Sequence, residues 1–314
     1  MTVVEGDRTV PQKQLYDARY KEDYMSESTP LETFKTRATL IRIDPNVKEV
    51  LDYGCGQGSK IETISEAFPG SNIVGIDISN EAVKKAGAKH SGHDFVLFDG
   101  GNAPFRDESF DLVFSFHVLE HVRNLKDTVR DMSRLVRPGK FLCAILPCGN
   151  PGSFEQKIVT LVRNGHEASE TGEVRWFFED ESHLRRPRSS DLAEAFEENG
   201  FLLVDQTYAF RSWGGVLNVC RYGPMVANRM LAVRRGKTIS AKAILFVLKP
   251  LLVSSSLIFL VFARSPLYVL FDRLWLVEWA DGAKRSNGSE QYLLFRKKGN
   301  QPVLRAPRVG VNSE

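Results

Sequence analysis

Short apolar runs alternate with stretches of helical periodicity along most of this chain. The runs Glu49–Tyr53, Asn72–Asp77, Phe95–Phe98, Phe110–Ser115 and Lys140–Leu146 have the length and composition of strands buried on both faces of a parallel sheet. Helical patterns lie between them. In one, Leu125, Val129, Met132 and Val136 form a single stripe, and Arg137-Pro-Gly139 is expected to end it. Alternation of this kind predicts an α/β fold with a doubly wound, mostly parallel sheet. A further helix around Asp191–Asn199 leads through Gly200 to a strand at Phe201–Phe210, and a last strand is expected at Gln291–Arg296. Upstream, Tyr16, Tyr20 and Tyr24 recur at helical spacing. They predict either an amphipathic helix packed on the core or a lid over a ligand site. Residues 1 to 12 are expected to be disordered.

The pattern changes between the last two strands, where roughly eighty residues intervene. Arg229, Arg234, Arg235, Lys237 and Lys242 form a basic stretch. An apolar run follows from Ala243 to Ala263, broken by Lys249-Pro250 and three serines, and a second from Pro266 to Trp279 carries Phe271, Trp275 and Trp279. Lys249 would cost about 2.5–3.5 kcal/mol near a bilayer centre, which argues against a full span. The expectation is helices lying in the membrane interface, with basic residues on lipid headgroups and tryptophans at headgroup depth. A cap over the active site, or a contact between copies, are the alternatives. The resulting division is a helical lid or disordered lead at 1–40, a core at 41–210 and 288–299, the insertion at 211–287, and a disordered tail at 300–314.

The candidate chemistry sits at the first strand end. Glu49-Val-Leu-Asp-Tyr-Gly-Cys-Gly-Gln-Gly-Ser59 carries a Gly-x-Gly-x-Gly turn, which lets backbone approach a ligand closely. Asp77 closes the next apolar run, where open α/β folds hold a ribose. A dinucleotide fingerprint requires G-x-G-x-x-G, and here the third glycine comes one residue early. Lys60 follows Ser59, so the P-loop spacing fails as well. Asp52, just before the turn, would repel a pyrophosphate and attract a cation. S-adenosylmethionine offers a sulfonium, an ammonium and a ribose diol without phosphate, and suits these residues better than NAD or ATP.

On these motifs the chain resembles the class I S-adenosylmethionine-dependent methyltransferases, most closely the type-11 group that includes ubiquinone/menaquinone-biosynthesis-like enzymes. The resemblance covers about Val50 to Pro147. Besides the glycine turn it rests on Gly75-Ile-Asp-Ile-Ser79, Asp99-Gly-Gly-Asn-Ala-Pro-Phe105, Ser109-Phe-Asp-Leu-Val-Phe-Ser115, Val118-Leu-Glu-His-Val122 and Arg134-Leu-Val-Arg-Pro-Gly139. It implies a seven-stranded Rossmann-like sheet whose last two strands pair antiparallel. It implies that Gly54, Gly56 and Gly58 wrap the methionine end of the cofactor, that Asp77 holds the ribose, and that Asp99 and Gly100 meet the adenine. Asp52, Ile78 and Phe116 complete the expected cofactor set. Gly101 and Ala103 depart from the family pattern, which often has an acidic residue and a leucine there.

His117 and His183 are the candidate catalytic residues, since histidine titrates near neutrality and can take an acceptor's proton. His117 lies just past a strand end, and His183 sits in a polar loop. His117, Glu120 and His121 spell H-x-x-E-H, a zinc motif. Its setting after a strand end, inside the methyltransferase pattern, argues against that reading, and no metal is expected. Glu120 and His121 are read as turn-capping and helix-start residues. Arg185 and Arg186 are candidates for a phosphate or carboxylate of the acceptor. His90, His93 and His166 have no motif context.

The formal net charge of +3 is too small to argue for nucleic acid, and no nucleic-acid module is recognisable. Four scattered cysteines, Cys55 and Cys143 among them, form no disulfide or metal spacing. With a polar N-terminus, this points to a cytoplasmic setting, peripheral on the inner face of the cell membrane. The leading expectation is O-methylation of a lipid-linked or glycan-type acceptor. A small-metabolite methyltransferase with the insertion as lid, and a non-catalytic cofactor-binding scaffold, are the rivals. Oligomeric state is not legible.

Overall fold

The computed structural model describes residues 12–22, 24, 27–162, 182–212, 254 and 276–299. Helices α1 (Gln12–Lys21) and α2 (Pro30–Leu40) precede strand β1 (Glu49–Tyr53). Then follow α3 (Ile61–Ala67), β2 (Asn72–Asp77), α4 (Asn80–Lys89), β3 (Asp94–Leu97), β4 (Phe110–Phe116), α5 (Leu125–Leu135) and β5 (Val136–Pro147). Helices α6 (Phe154–Val162) and α7 (Ser189–Glu198) lead to β6 (Phe201–Ala209) and β7 (Glu290–Lys297). The seven strands form one sheet in the order β3-β2-β1-β4-β5-β7-β6. Strands β1 to β5 pair in parallel, and β7 lies antiparallel to both β5 and β6.

The period-two alternation of each strand sorts its apolar residues between two layers. Leu51, Tyr53, Val113, Leu142 and Ala144 face one layer, with Val129, Met132 and Leu135 of α5 and Leu192 and Phe196 of α7. Val50, Leu112, Phe114, Cys143 and Ile145 face the other, with Leu40 of α2, Ile61 and Ile64 of α3, and Trp279. A slip of one residue in any central strand would exchange these sets, so burial on both faces fixes the register.

Side chains set the starts of α2, α4 and α5. Thr29 and Glu32 form a reciprocal capping box around Pro30. Ser79 caps α4 and Asn124 caps α5. His121 therefore lies before the helix start assigned to it, in the turn that precedes Asn124.

Strand β5 begins at Val136, four residues before the expected Lys140. The reason is Asp111 at the start of β4. Its carboxylate accepts the Lys48 and Glu49 amides at 2.9 and 3.2 Å and pairs with Arg137 at 3.1 Å and Lys140 at 3.6 Å. Burial would raise its pKa, but these partners outweigh that and hold it below the ordinary value. The two basic side chains draw the segment alongside β4 directly after the helix.

Of the 211–287 insertion, Arg211, Ser212, Ser254 and residues 276–287 are described; the basic stretch and nearly all of both apolar runs lie outside the described residues, as do residues 1–11 and the 300–314 tail. Trp279 does not stand at a membrane surface. It is buried, with its ring edge-on to Tyr292 at 4.7 Å. Among the described residues no helix is long and apolar enough to cross a membrane.

Candidate functional site

The β1–α3 turn is built for close approach. Gly54, Gly56 and Gly58 hold φ of +77°, +53° and +76°, a region that L side chains enter only with strain. The amides of Gly54 and Cys55 both reach the Ile76 carbonyl, which pins the turn to the end of β2. A Cβ on Gly54 would strike Val118, so this turn also packs against the segment after β4.

Two carboxylates flank it. Asp77 accepts the Gly56 amide and the Ser79 amide, each at 2.9 Å. Asp52 is 1% exposed, and its Oδ2 has no hydrogen-bond partner among the described residues. Burial pushes the Asp52 pKa up to about 7, with Lys60 opposing and Asp77 adding to the rise. Burial likewise raises Asp77 to about 6, against its backbone hydrogen bonds. A buried acid with an orphaned oxygen is costly unless a cation or donor meets it. The ammonium and ribose hydroxyls of S-adenosylmethionine are such groups, so the residues fit the cofactor.

The tyrosine repeat packs beside the turn. Tyr16 and Tyr20 on α1 are buried, and Tyr24, past the helix end, packs edge-on to Tyr20. Asp17 between them accepts the Ser79 hydroxyl at 2.6 Å, tying α1 to the N-terminus of α4. Ile78 packs against the cluster of Tyr16 and Tyr20, and a Cβ on Gly100 would lie 3.4 Å from it. Asp99 is exposed and caps its own turn through the Gly101 amide at 2.9 Å. Phe116 lies under the Lys60 ammonium, 3.8 Å from its ring centroid.

The loop after β3 is fixed by residues the motifs did not single out for the site. Asp131 accepts the Ala103 amide and the Tyr53 hydroxyl. Arg134 pairs with Asp131 and donates to the carbonyls of Phe105 and Ala103. The apolar stripe of α5 hid this polar clamp.

Past β4, His117 adopts φ +54° and turns its ring between two buried carboxylates. Nδ1 meets Glu120 at 2.8 Å and Nε2 meets Glu290 at 3.2 Å. Burial alone would favour the neutral ring, but these two partners push its pKa up to about 9. Glu120 moves down to about 2 despite its own burial, chiefly through His117. Glu290 continues the network to the Lys35 ammonium at 2.5 Å and the Tyr292 hydroxyl at 2.6 Å. His117 is thus protonated at neutral pH.

His183 is 10% exposed at its side chain and joins the same cluster, with Nε2 4.0 Å from Glu120. Its ring stands edge-on to His121 at 4.6 Å. Ser182 links that histidine to α1, meeting His121 Nδ1 at 3.0 Å and Tyr16 at 3.2 Å. Arg185 and Arg186 depart from the expectation of an acceptor clamp. Arg185 donates to the carbonyls of Val122 and Arg123, and Arg186 to those of Cys148 and Ser289. They hold backbone because the segment 182–188 needs anchoring to the turns it crosses. Glu290, Lys35 and Ser182 were missed, since each meets its partner from a distant element.

A family model described as methyltransferase domain matches residues 25–206. The phthiotriol/phenolphthiotriol dimycocerosates methyltransferase of Mycobacterium tuberculosis is 29% identical over 105 residues, 33% of this chain and 39% of that protein. Norajmaline N-methyltransferase of Rauvolfia serpentina is 38% identical over 98 residues, 29% of this chain and 33% of that one. The chain therefore spans about two fifths or less of the length of these curated relatives. Among solved structures, phosphoethanolamine N-methyltransferase 2 of Haemonchus contortus shares the fold, with a TM-score of 0.51 at 13% identity over 93% of this chain and 61% of that one. The family match spans more than half of the chain and contains the glycine turn, both flanking carboxylates and the histidine cluster. The chain belongs to the class I methyltransferase-domain family, whose methyl donor is S-adenosylmethionine.

Proposed function

We propose that this protein transfers a methyl group from S-adenosylmethionine to a hydroxyl of a lipid-linked or glycan-type acceptor. The observation that carries the donor half is Asp52, buried beside the glycine turn with one oxygen unpartnered. The bound donor supplies an electrophilic methyl on a sulfonium; the protein's contribution is alignment, worth about 7–11 kcal/mol in well-oriented reactions. In this reading Asp52 and Asp77 fix the donor's cationic and ribose ends, and α1 closes over it.

The acceptor meets the cluster around Glu120, beyond the β4 end. His117 already carries its proton and commits both ring nitrogens to Glu120 and Glu290, so it orders the cluster rather than deprotonating the acceptor. His183 is the histidine assigned to the acceptor hydroxyl. The lipid-type acceptor is supported by the apolar and basic composition of the insertion, and by a relative named as a phthiotriol/phenolphthiotriol dimycocerosates methyltransferase. The relative named norajmaline N-methyltransferase keeps a small-metabolite acceptor as the second reading.

Titration calorimetry with S-adenosylmethionine tests the donor half. Binding by the wild type and loss of it in Asp77→Ala are expected; equal affinity in the variant would reject the assignment. For the acceptor half, release of S-adenosylhomocysteine is followed with lipid-linked glycans in vesicles and with soluble phenols. Turnover confined to the soluble phenols would favour the second reading.

A further inference from the structure

The H-x-x-E-H reading fails on geometry in an informative way. Residues 117–122 form turns rather than a helix, so His117 and His121 do not share a helical face. Both ring nitrogens of His117 are already engaged, one by Glu120 and the other by Glu290. Folding brings in a different histidine. His183, sixty-two residues beyond His121, packs against it and faces the same carboxylate.

From this juxtaposition we propose that Glu120, His121 and His183 form a binding site for one divalent metal ion of the zinc type. Ligand atoms of the three residues all lie within 4.8 Å of one another. The Nε2 atoms of His121 and His183 stand 3.9 and 4.0 Å from Glu120 Oε1. Ligands on a tetrahedral ion with bonds of about 2.0–2.1 Å lie roughly 3.4 Å apart, so the two pairs with Glu120 must each close by about half an ångström. Rotation of the side chains supplies that movement.

Two independent features favour an ion here. Glu120 is fully buried, and its Oε2 has no hydrogen-bond partner among the described residues. A charged oxygen in that state is expensive, and a metal bond would satisfy it once the carboxylate turns to present Oε2 beside Oε1. His121 also has the second-sphere support that metal-binding imidazoles require. Its Nδ1 meets the Ser182 hydroxyl, which Tyr16 and Arg19 hold in turn. That contact directs Nε2 toward Glu120. Two imidazoles and one carboxylate form a donor set suited to zinc, and three protein ligands leave a position for water or an acceptor oxygen. The site goes beyond the methyl-transfer reading and does not need it; with the ion bound, His183 would reach an acceptor oxygen through the metal rather than directly.

The test uses untagged full-length protein and zinc chloride. After loading and dialysis, about one zinc per chain is expected, the stoichiometry of a three-ligand site. Titration of zinc into 15N-histidine-labelled wild type should move the Nε2 resonances of His121 and His183 and leave His93 in place. His183→Ala and His121→Ala should each weaken zinc binding by at least about tenfold, while His93→Ala binds as the wild type does. S-adenosylmethionine affinity of each variant checks the fold. Should a variant fail that check, the wild-type resonance shifts alone decide. Negligible zinc in the wild type, or shifts spread over all histidines, would overturn the proposal and leave a hydrogen-bonded cluster. Zinc bound without S-adenosylmethionine binding would reject the methyl-donor assignment and keep the metal site; the converse result would do the opposite.

Discussion

The Tyr20 hydroxyl lies 2.8 Å from the point that a Cβ on Gly56 would occupy, and Gly56 sits at φ +53°. Backbone conformation and close packing therefore both require glycine there. Gly56→Ala is expected to cost about 1–2 kcal/mol from the conformation alone, before any clash. Tyr20→Phe removes the atom in closest contact, so Gly56→Ala/Tyr20→Phe should recover part of the loss. Chemical denaturation of the single and double variants checks this. Equal stability in the single variant and the wild type would contradict the crowded turn.

In the proposed reading Asp52 and Asp77 make donor binding depend on pH. A cation at Asp52 and hydroxyl donors at Asp77 both favour the ionised carboxylate, whose pKa burial pushes up to about 7 and about 6. Below each value a proton must be displaced for the donor to bind. Affinity should hold steady above about pH 8, then fall by up to about tenfold for each pH unit per group as pH drops through 7 and 6. Asp52→Asn should remove the break near 7 and retain the lower one. Calorimetry across this range would show both, and a flat profile would exclude the role given to these acids.

Asp131 and Arg134 clamp the loop that carries Asp99 and Gly100. Asp131→Ala leaves the Tyr53 hydroxyl, the Ala103 amide and Arg134 short of a partner at once. Breaking a buried pair from one side costs about 3–5 kcal/mol, and a loss of that order is expected in denaturation. Donor affinity should fall too, because the loop loses its anchor. A change below about 0.5 kcal/mol, ordinary for a surface site, would show that the loop is held otherwise.

Lys35 is 2% exposed and depends on Glu290 for its counter-charge. Glu290→Gln should be strongly destabilising, again by about 3–5 kcal/mol. Lys35→Met added to Glu290→Gln should cost less than the sum of the separate changes, since neither charge is then stranded. Additive losses in this double-mutant cycle would mean that the two residues do not act as a pair.

How far the sequence reveals this molecule depends on the range of each interaction. Strands β1, β2 and β4 follow from local apolar runs, and the structure places them within a residue of their expected limits. The glycine turn and its two carboxylates are legible for the same reason, lying within twenty-six residues of one another. The early start of β5 is not, because it depends on Asp111 drawing two basic residues from another element. Glu290 reads as the polar beginning of a strand, and Lys35 as one more helix lysine. Only folding reveals that they meet across 255 positions. The same holds for His183, whose loop looks polar and exposed in sequence yet is pressed into the histidine cluster. Polar pairs between distant elements leave no periodic trace.

Strand β7 is threaded between β5 and β6, although it is the last of the seven to be synthesised. A growing chain therefore carries two unfilled ladder edges until β7 emerges. Glu290 arrives with that strand, so the charge network at His117 closes only after the other six strands have been made. A ribosome-bound intermediate lacking it would be recognisable by an uncovered β5, and holding chaperones would have reason to attend this protein until its last strand clears the exit tunnel.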